Sequence, residues 1–344
     1  MAVTLKDLAV HVDRSITTVS RALAGYQDVS PRTRDQVLQA AEELGYEPNI
    51  TARQLQKQAT DTIALILPNN NNPQISDPFF SEFLAGIVDQ TTRYGLDLLV
   101  TTHSPDEDAK EVYLKYIRSR RVDGFIIIRT QRNDARIKLL RDCDFPFVAF
   151  GRVETDNEFP FIDEDGELGI RMVVDHLVAL GHTRLAFIAE PANLTKAHNR
   201  LQGFIKGVTA HGLPLDESLI LEGGFRQRAG RLSTLQLLDH PNPPTAIVAV
   251  NDLVALGAIS AAQEQGLVVG RDVSITGFDD IALAEYTHPP LTTLHLPAHE
   301  IGMKICQTLF NVINREPLAE PQVILQPELV VRQSSGPNQP SHMI

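Results

Sequence analysis

Ile16, Thr17, Ser20 and Arg21 have the spacing to share one outward face at the start of a short helix near the amino terminus. That is where a helix-turn-helix places the side chains that reach base edges in the major groove. Farther along, Leu55 stands almost alone as an apolar residue in a polar segment, a side chain suited to wedging into a minor-groove step. No set of residues suggests covalent chemistry. The chain holds no G-x-x-x-x-G-K-[ST] phosphate loop, no G-x-G-x-x-G after its first strand, no H-E-x-x-H and no G-x-S-x-G. The eleven histidines are scattered, and His103, His176 and His182 read as surface or structural residues. Two cysteines, Cys143 and Cys306, make neither a disulfide framework nor a metal cluster. No enzymatic activity, cofactor or metal is expected.

The elements that position the first set are three short helices. Thr4 and Asp7 have capping-box spacing, with Leu5, Leu8, Ala9 and Val12 as the buried stripe of the first helix. Asp13 and Arg14 form a turn, and Ser15 caps a second helix whose inner face is Val19, Ala22 and Leu23. Ser30 caps a third helix with Pro31 at its first position, Val37, Leu38, Ala41 and Leu44 pointing inward, and Gly45 ending it. Spacing alone fits either a DNA reader or a three-helix interaction module. Asn49 then opens a stretch with only Ile50, Ala52 and Leu55 apolar, too weakly amphipathic to be a helix by itself. It is either a helix that forms on DNA with a partner or a flexible linker.

Charge does not decide between these. Residues 1 to 60 carry seven Lys/Arg and seven Asp/Glu, so the whole −12 (24 minus 36) lies in the remainder. A neutral head binds phosphates only if Arg14, Arg21, Arg32, Arg34, Arg53 and Lys57 share a face. The chain shows no signal peptide and no apolar run near the ~20 residues of a membrane span, which predicts a cytoplasmic protein.

From Thr62 the pattern alternates strands with amphipathic helices. Strands are expected at 63–67, 96–100, 122–128 and 145–150, with Phe80, Phe83, Leu84, Ile87 and Val88 striping the helix after the first. A second set starts near 165, with helices at 167–180 and 197–211 and strands at 185–189, 220–221, 246–250 and 273–277. The alternation predicts an α/β protein with two doubly wound parallel-sheet subdomains and a cleft at the carboxyl ends of the strands.

The chain resembles the lactose repressor/galactose repressor family of bacterial transcriptional regulators over essentially its full length. The matching segments are VTLKDLA from Val3, TVSRAL from Thr18, VSPRTR from Val29, GYEPN from Gly45 and ARQL from Ala52. In the body they are VDGFII from Val122, LGH from Leu180, Asn251-Asp252, GFDD from Gly277, PPLTT from Pro289 and PELVVRQSS from Pro327. The resemblance implies a helix-turn-helix domain at 1–48, a hinge helix and linker at 49–61, and a body of the periplasmic-binding-protein type. Its first subdomain would be 62–163 with 291–322 and its second 164–290 with 323–336, leaving 337–344 as a tail. The closing stretch GPNQPSHMI, from Gly336 to Ile344, has no heptad, so a dimer rather than a tetramer is expected.

In that family Thr4, Ser15, Thr18 and Ser30 would meet phosphates, while Ile16, Thr17, Ser20 and Arg21 would face bases. Arg21 would grip a guanine and Ile16 a thymine methyl. Asn49, Ala52, Arg53 and Leu55 would form the hinge contacts. One departure is Asp13-Arg14 in place of the usual Gly-Val, which Asp tolerates because it accepts the left-handed turn. For the effector, Phe79 or Phe80 and Phe225 would wall the cleft, with Arg200, Asn251 and Asp279 pointing in. That set suits a sugar. Arg129 and Arg152 either extend it toward a phosphorylated or acidic sugar or pair with Asp163 and Glu164 at the rim; a purine or nucleoside is the other ligand reading. The expected function is a homodimeric repressor of palindromic operator DNA released by a sugar between its lobes, a corepressor being the same coupling with opposite sign. A solute-binding protein with no role at genes is the remaining alternative.

Overall fold

The structure, a computed structural model, describes residues 3–23, 25–46, 59–68, 76–104, 107–155 and 157–338, which divide into two units at Thr60/Asp61. The hinge residues Asn49, Ala52, Arg53 and Leu55 lie outside the described residues.

The first unit is three helices, α1 (Leu5–His11), α2 (Ile16–Leu23) and α3 (Pro31–Leu44), closed around Leu8, Val19, Ala22, Val29, Val37, Ala40 and Ala41. Each starts on a hydroxyl. The Thr4 hydroxyl accepts from the Asp7 N–H at 3.3 Å while the Asp7 carboxylate accepts from the Thr4 N–H at 2.9 Å. Ser15 and Ser30 accept from the N–H groups of Thr18 and Thr33 at 3.1 and 3.2 Å. Asp13 takes the left-handed turn with φ 52°, and Gly45 ends α3 at φ 61°. Leu38, expected inside, is 48% exposed. The inner face of α3 runs through Val37, Ala40, Ala41 and Leu44, and residue 38 is turned about 100° from Val37.

The second unit has two lobes. In the first, β1 (Thr62–Pro68), β2 (Asp97–His103), β3 (Gly124–Ile128), β4 (Phe147–Phe150), β5 (Phe161–Glu164) and β11 (Gln322–Leu325) form a parallel sheet in the order β11-β5-β4-β3-β1-β2. In the second, β6 (Leu185–Ala189), β7 (Ile220–Glu222), β8 (Ala246–Ala249) and β9 (Ser274–Thr276) are parallel in the order β7-β6-β8-β9. Every residue of β3 and β6 is buried, as strands covered on both faces require.

The covering helices in the first lobe are α4 (Pro78–Tyr94), α5 (Ala109–Arg118) and α6 (Ala135–Asp142), joined late in the chain by α11 (Ala298–Ile313). In the second lobe they are α7 (Gly166–Ala179), α8 (Thr195–Ala210), α9 (Gln227–Leu238) and α10 (Asp252–Glu264). Val88, expected on the buried stripe of α4, is 45% exposed.

The chain passes between lobes three times: after β5, between β10 (Thr293–His295) and α11, and between β11 and β12 (Glu328–Val330), which pairs antiparallel with β10. The expected lobe boundaries move accordingly. Residues 291–295 lie with the second lobe, where Thr292 bridges to Thr276, and β11 stays wholly with the first because it pairs with β5.

Helix pairs within the lobes meet at glycines. A Cβ on Gly257 of α10 would overlap the Gln227 carbonyl of α9, and one on Gly230 of α9 would overlap the Val254 carbonyl of α10. Gly86 of α4 and Gly302 of α11 are related to His299 and Phe83 in the same reciprocal way. Gly257→Ala should therefore cost about 1–3 kcal/mol in urea unfolding, as overpacking against backbone does. Ser260→Ala, on the exposed side of α10, should stay within about 0.5 kcal/mol; equal losses would show that α9 and α10 separate freely.

Candidate functional site

On the head, Ile16 and Thr17 are exposed and Ser20 and Arg21 half-exposed, so the face expected for base reading is open. Arg21 does not extend from it. Its guanidinium pairs with Asp28 at 2.5 Å and stacks on the Tyr26 ring at 4.5 Å. The hydroxyls of Thr4, Ser15 and Ser30 mark three helix starts, where N–H groups and the helix dipole favour a phosphate. Thr18 is tied to Ser15 by a 2.8 Å hydroxyl contact. Arg34, expected among the DNA-facing cations, instead donates to the carbonyls of Gly25 and Tyr26 and fixes the turn before α3.

In the body a cavity opens between the lobes, at the carboxyl ends of the strands. Phe79, Phe80, Arg129, Arg200, Phe225, Asn251 and Asp279 all line it, as expected from the sequence. Arg152 does not. It pairs with Asp163 at 3.2 Å, the rim ion pair that was the alternative reading. Sequence reasoning missed Asp77, Phe150 and Lys196 and placed Asp163 and Glu164 only at the rim, whereas all five line the cavity. A usable signal existed, since Phe150 ends β4, Asp163 and Glu164 end β5, and Lys196 stands one turn before Arg200 on α8.

The apolar wall comes from the first lobe. Phe79 stacks on Phe150 at 6.1 Å and Phe83 packs on the same ring at 5.3 Å. Opposite, Phe225 lies beneath the Arg129 guanidinium at 4.2 Å. Asn251 is occupied in shaping this wall: it caps α10 by accepting from the Val254 N–H at 2.8 Å and donates to the Phe225 carbonyl at 3.2 Å.

The polar floor centres on Arg200, which donates to Glu164 at 2.6 Å, Glu190 at 3.1 Å and the Val250 carbonyl at 2.7 Å, with the Phe278 ring 3.7 Å from its guanidinium carbon. Its buried Nε has no hydrogen-bond partner among the described residues. Lys196 pairs with Glu190 at 2.9 Å. Burial pushes the Asp279 carboxyl well above the usual range, with Arg200 opposing. Burial and then the neighbouring Glu164 charge raise Asp163, against Arg152. Burial likewise raises Asp77, which caps α4, against Lys196 and Arg129. Burial thus opposes the charged form at three carboxyls, and every cation of the lining touches a carboxylate or an aromatic face.

The three histidines weighed from the sequence make contacts within the fold. His182 contacts the Thr245 and Ser274 hydroxyls and the Gly336 carbonyl, His176 contacts Ser335, and His103 reaches the Ser104 carbonyl. Among the described residues no group of three or more His, Cys, Asp and Glu could hold a metal ion, and no helix is long and apolar enough to cross a membrane.

Asp252, beside Asn251, ties this site to the lobe crossing by accepting from the Thr293 hydroxyl at 2.5 Å and the Ile281 N–H at 2.8 Å. Burial pushes its carboxyl up to about 7, against those hydrogen bonds. The folded protein then holds a proton that the unfolded chain releases near 3.8. The resulting stability is fully present below that value and lost as pH rises through about 7. The melting temperature should fall between pH 5 and pH 8, and Asp252→Asn should flatten part of that slope; an unchanged slope would clear Asp252 as its source.

Comparison with known proteins gives two family matches. Residues 4–49 match the model for bacterial regulatory proteins of the lacI family, and residues 174–335 match that for a periplasmic binding protein-like domain. The HTH-type transcriptional repressor CytR of Escherichia coli (strain K12) is 34% identical over 335 residues, covering 97% of this chain and 96% of that protein. The HTH-type transcriptional regulator DegA of Bacillus subtilis (strain 168) is 33% identical over 340 residues, covering 98% and 99%. Among solved structures, the lac repressor dimer bound to operator and the anti-inducer ONPF aligns with a TM-score of 0.85 at 29% identity, over 98% of this chain and 100% of that one. The complex of the regulator CelR with cellobiose aligns with a TM-score of 0.74 at 30% identity, over 96% and 99%.

Proposed function

The chain belongs to the lacI family of bacterial regulatory proteins, and from that premise we propose that it is a dimeric, cytoplasmic repressor released from a palindromic operator by a neutral sugar. The observation that carries the ligand class is the interlobe cavity, with aromatic faces on both sides and a floor whose cations are already engaged. Sugar ring faces stack on phenylalanines while hydroxyls, which both donate and accept, take up the polar groups. At Arg200 a phosphate would have to displace Glu164 or Glu190, and at Lys196 it would have to displace Glu190. The cellobiose held by CelR supports the same class. The broad Phe79–Phe150–Phe83 wall also offers a nucleobase a stacking face, which keeps a nucleoside as the second reading.

On DNA, Thr4, Ser15, Thr18 and Ser30 would take phosphates, Ile16, Thr17, Ser20 and Arg21 the bases, and the hinge residues Asn49, Ala52, Arg53 and Leu55 the operator centre. Arg21 exchanges Asp28 for a guanine on binding. The sugar favours the lobe arrangement that separates the two hinge segments of the dimer, a coupling of about 1–3 kcal/mol.

A thermal-shift and calorimetric screen of neutral sugars, their phosphate esters and nucleosides tests the cavity. At about 100 times its dissociation constant a ligand adds roughly 2.7 kcal/mol of stability. A neutral sugar is expected to bind and its phosphate ester to bind more weakly. An ester that binds more tightly than its parent would refute the neutral class, and a nucleoside as sole binder would replace it. On DNA, Arg21→Ala should cost about 1–3 kcal/mol of operator affinity with effector binding intact; an undiminished footprint removes Arg21 from base reading.

A further inference from the structure

The segment between β3 and α6, Arg129 to Asp134, reaches across to the second lobe with its backbone. The Thr195 N–H donates to the Thr130 carbonyl at 3.0 Å and the Arg132 N–H donates to the Asn193 carbonyl at 3.2 Å. Between them Gln131 and Leu194 face each other as an isolated antiparallel bridge. These bonds run from protein to protein and use no ligand atom. They form beside the cavity, since Arg129 and Thr130 are part of its lining.

From below, the same segment is held by a buried ion pair. Asp134 caps α6, accepting from the Arg136 N–H at 3.0 Å and the Gln131 N–H at 3.1 Å. The Arg136 guanidinium, 12% exposed, contacts Asp134 at 2.7 Å and also donates to the carbonyls of Ile128 and Arg129, both at 3.1 Å. Arg129 itself has φ 52°, a left-handed backbone that a long side chain adopts only when its surroundings impose it. One planar fork meets both carbonyls and the carboxylate together, which a lysine's single ammonium does not reproduce.

We propose that Asp134 and Arg136 are positioning residues for the effector cavity. They hold Arg129 to Arg132 in the shape that zips onto Asn193 to Thr195, so a backbone latch presets how far the lobes close. The latch also carries Arg129 to the face of Phe225. An effector then acts on a lobe equilibrium already biased by the protein, and its apparent affinity scales with the fraction in the binding-competent arrangement. This rests on the function proposed above only in taking the interlobe cavity as the effector site.

Hydrogen exchange on the full-length protein without any effector tests the latch whatever the cavity binds. Thr195→Pro removes one latch donor at the first position of α8, where proline is well tolerated, and the preceding Leu194 is extended (φ −85°, ψ 139°) as a residue before proline requires. The Thr195 hydroxyl has no hydrogen-bond partner among the described residues, so no side-chain bond is lost, while the ring Cδ takes the place of the N–H and presses on the Thr130 carbonyl, keeping that end of the latch open. Loss of that bond should speed exchange at the Arg132 amide about tenfold while amides in the middle of α8, such as Phe204, keep their protection. Unchanged Arg132 protection would overturn the latch. Arg136→Lys keeps a charge opposite Asp134 and loses the fork. It should accelerate Gln131 and Arg132 about tenfold beyond the rest of the first lobe. Uniform acceleration with no excess at those two amides would make Arg136 merely structural and overturn the positioning role.

Discussion

Arg200 is 2% exposed, and the body is arranged around keeping its charge there. A buried guanidinium is tolerated only when nearly all its donors are met, because stripping water from it costs several kcal/mol. Its partners come from separate places: Glu164 from the end of the first sheet's β5, Glu190 from just after β6, and the Val250 carbonyl from just after β8. Satisfying one side chain therefore brings three strand ends together, and the place where they meet is the cavity floor. Gly166 belongs to the same constraint, because a Cβ there would press on the Arg200 side chain at 2.9 Å.

That arrangement has a chemical consequence. The carboxylates that make Arg200 tolerable also claim it, and Glu190 claims Lys196 as well. Two of the three cations in the cavity lining are thus held by carboxylates, and the third, Arg129, lies over the Phe225 ring. Three chain crossings, the Arg200–Glu164 ion pair and the backbone bridge at Gln131–Leu194 connect the lobes. Reciprocal glycine contacts bring the helices of each lobe into backbone contact.

Some segments that stand out in the sequence have a structural task. In the run from Pro327 to Ser335, Ser334 donates to the Ile275 carbonyl at 2.5 Å and accepts from the Thr292 N–H at 2.8 Å, and Ser335 meets His176. The run seals the end of the second lobe. The LGH segment does similar work through His182. In the head, Asp28 and Tyr26 hold Arg21 against the protein.

What the sequence determined by itself was whatever depends on local periodicity and capping. Hydroxyls at Thr4, Ser15 and Ser30, the left-handed turn at Asp13, and the alternation of apolar strands with amphipathic helices all follow from interactions a few residues long. They were legible, and the family resemblance carried seven of the cavity's lining residues with them, from Phe79 to Asp279. Tertiary structure alone decided the rest. The short acidic strand β5 gives no strand signal, because Asp163 and Glu164 read as loop until Arg200 and Arg152 neutralise them from elsewhere in the chain. Arg152 and Arg200 are the same residue type, yet one pairs outside the lining and the other anchors the floor. The lobe assignment of β11 depends on its pairing with β5, more than 150 residues earlier. Charge neutralisation and strand pairing act between residues remote in sequence, and no local pattern encodes their partners.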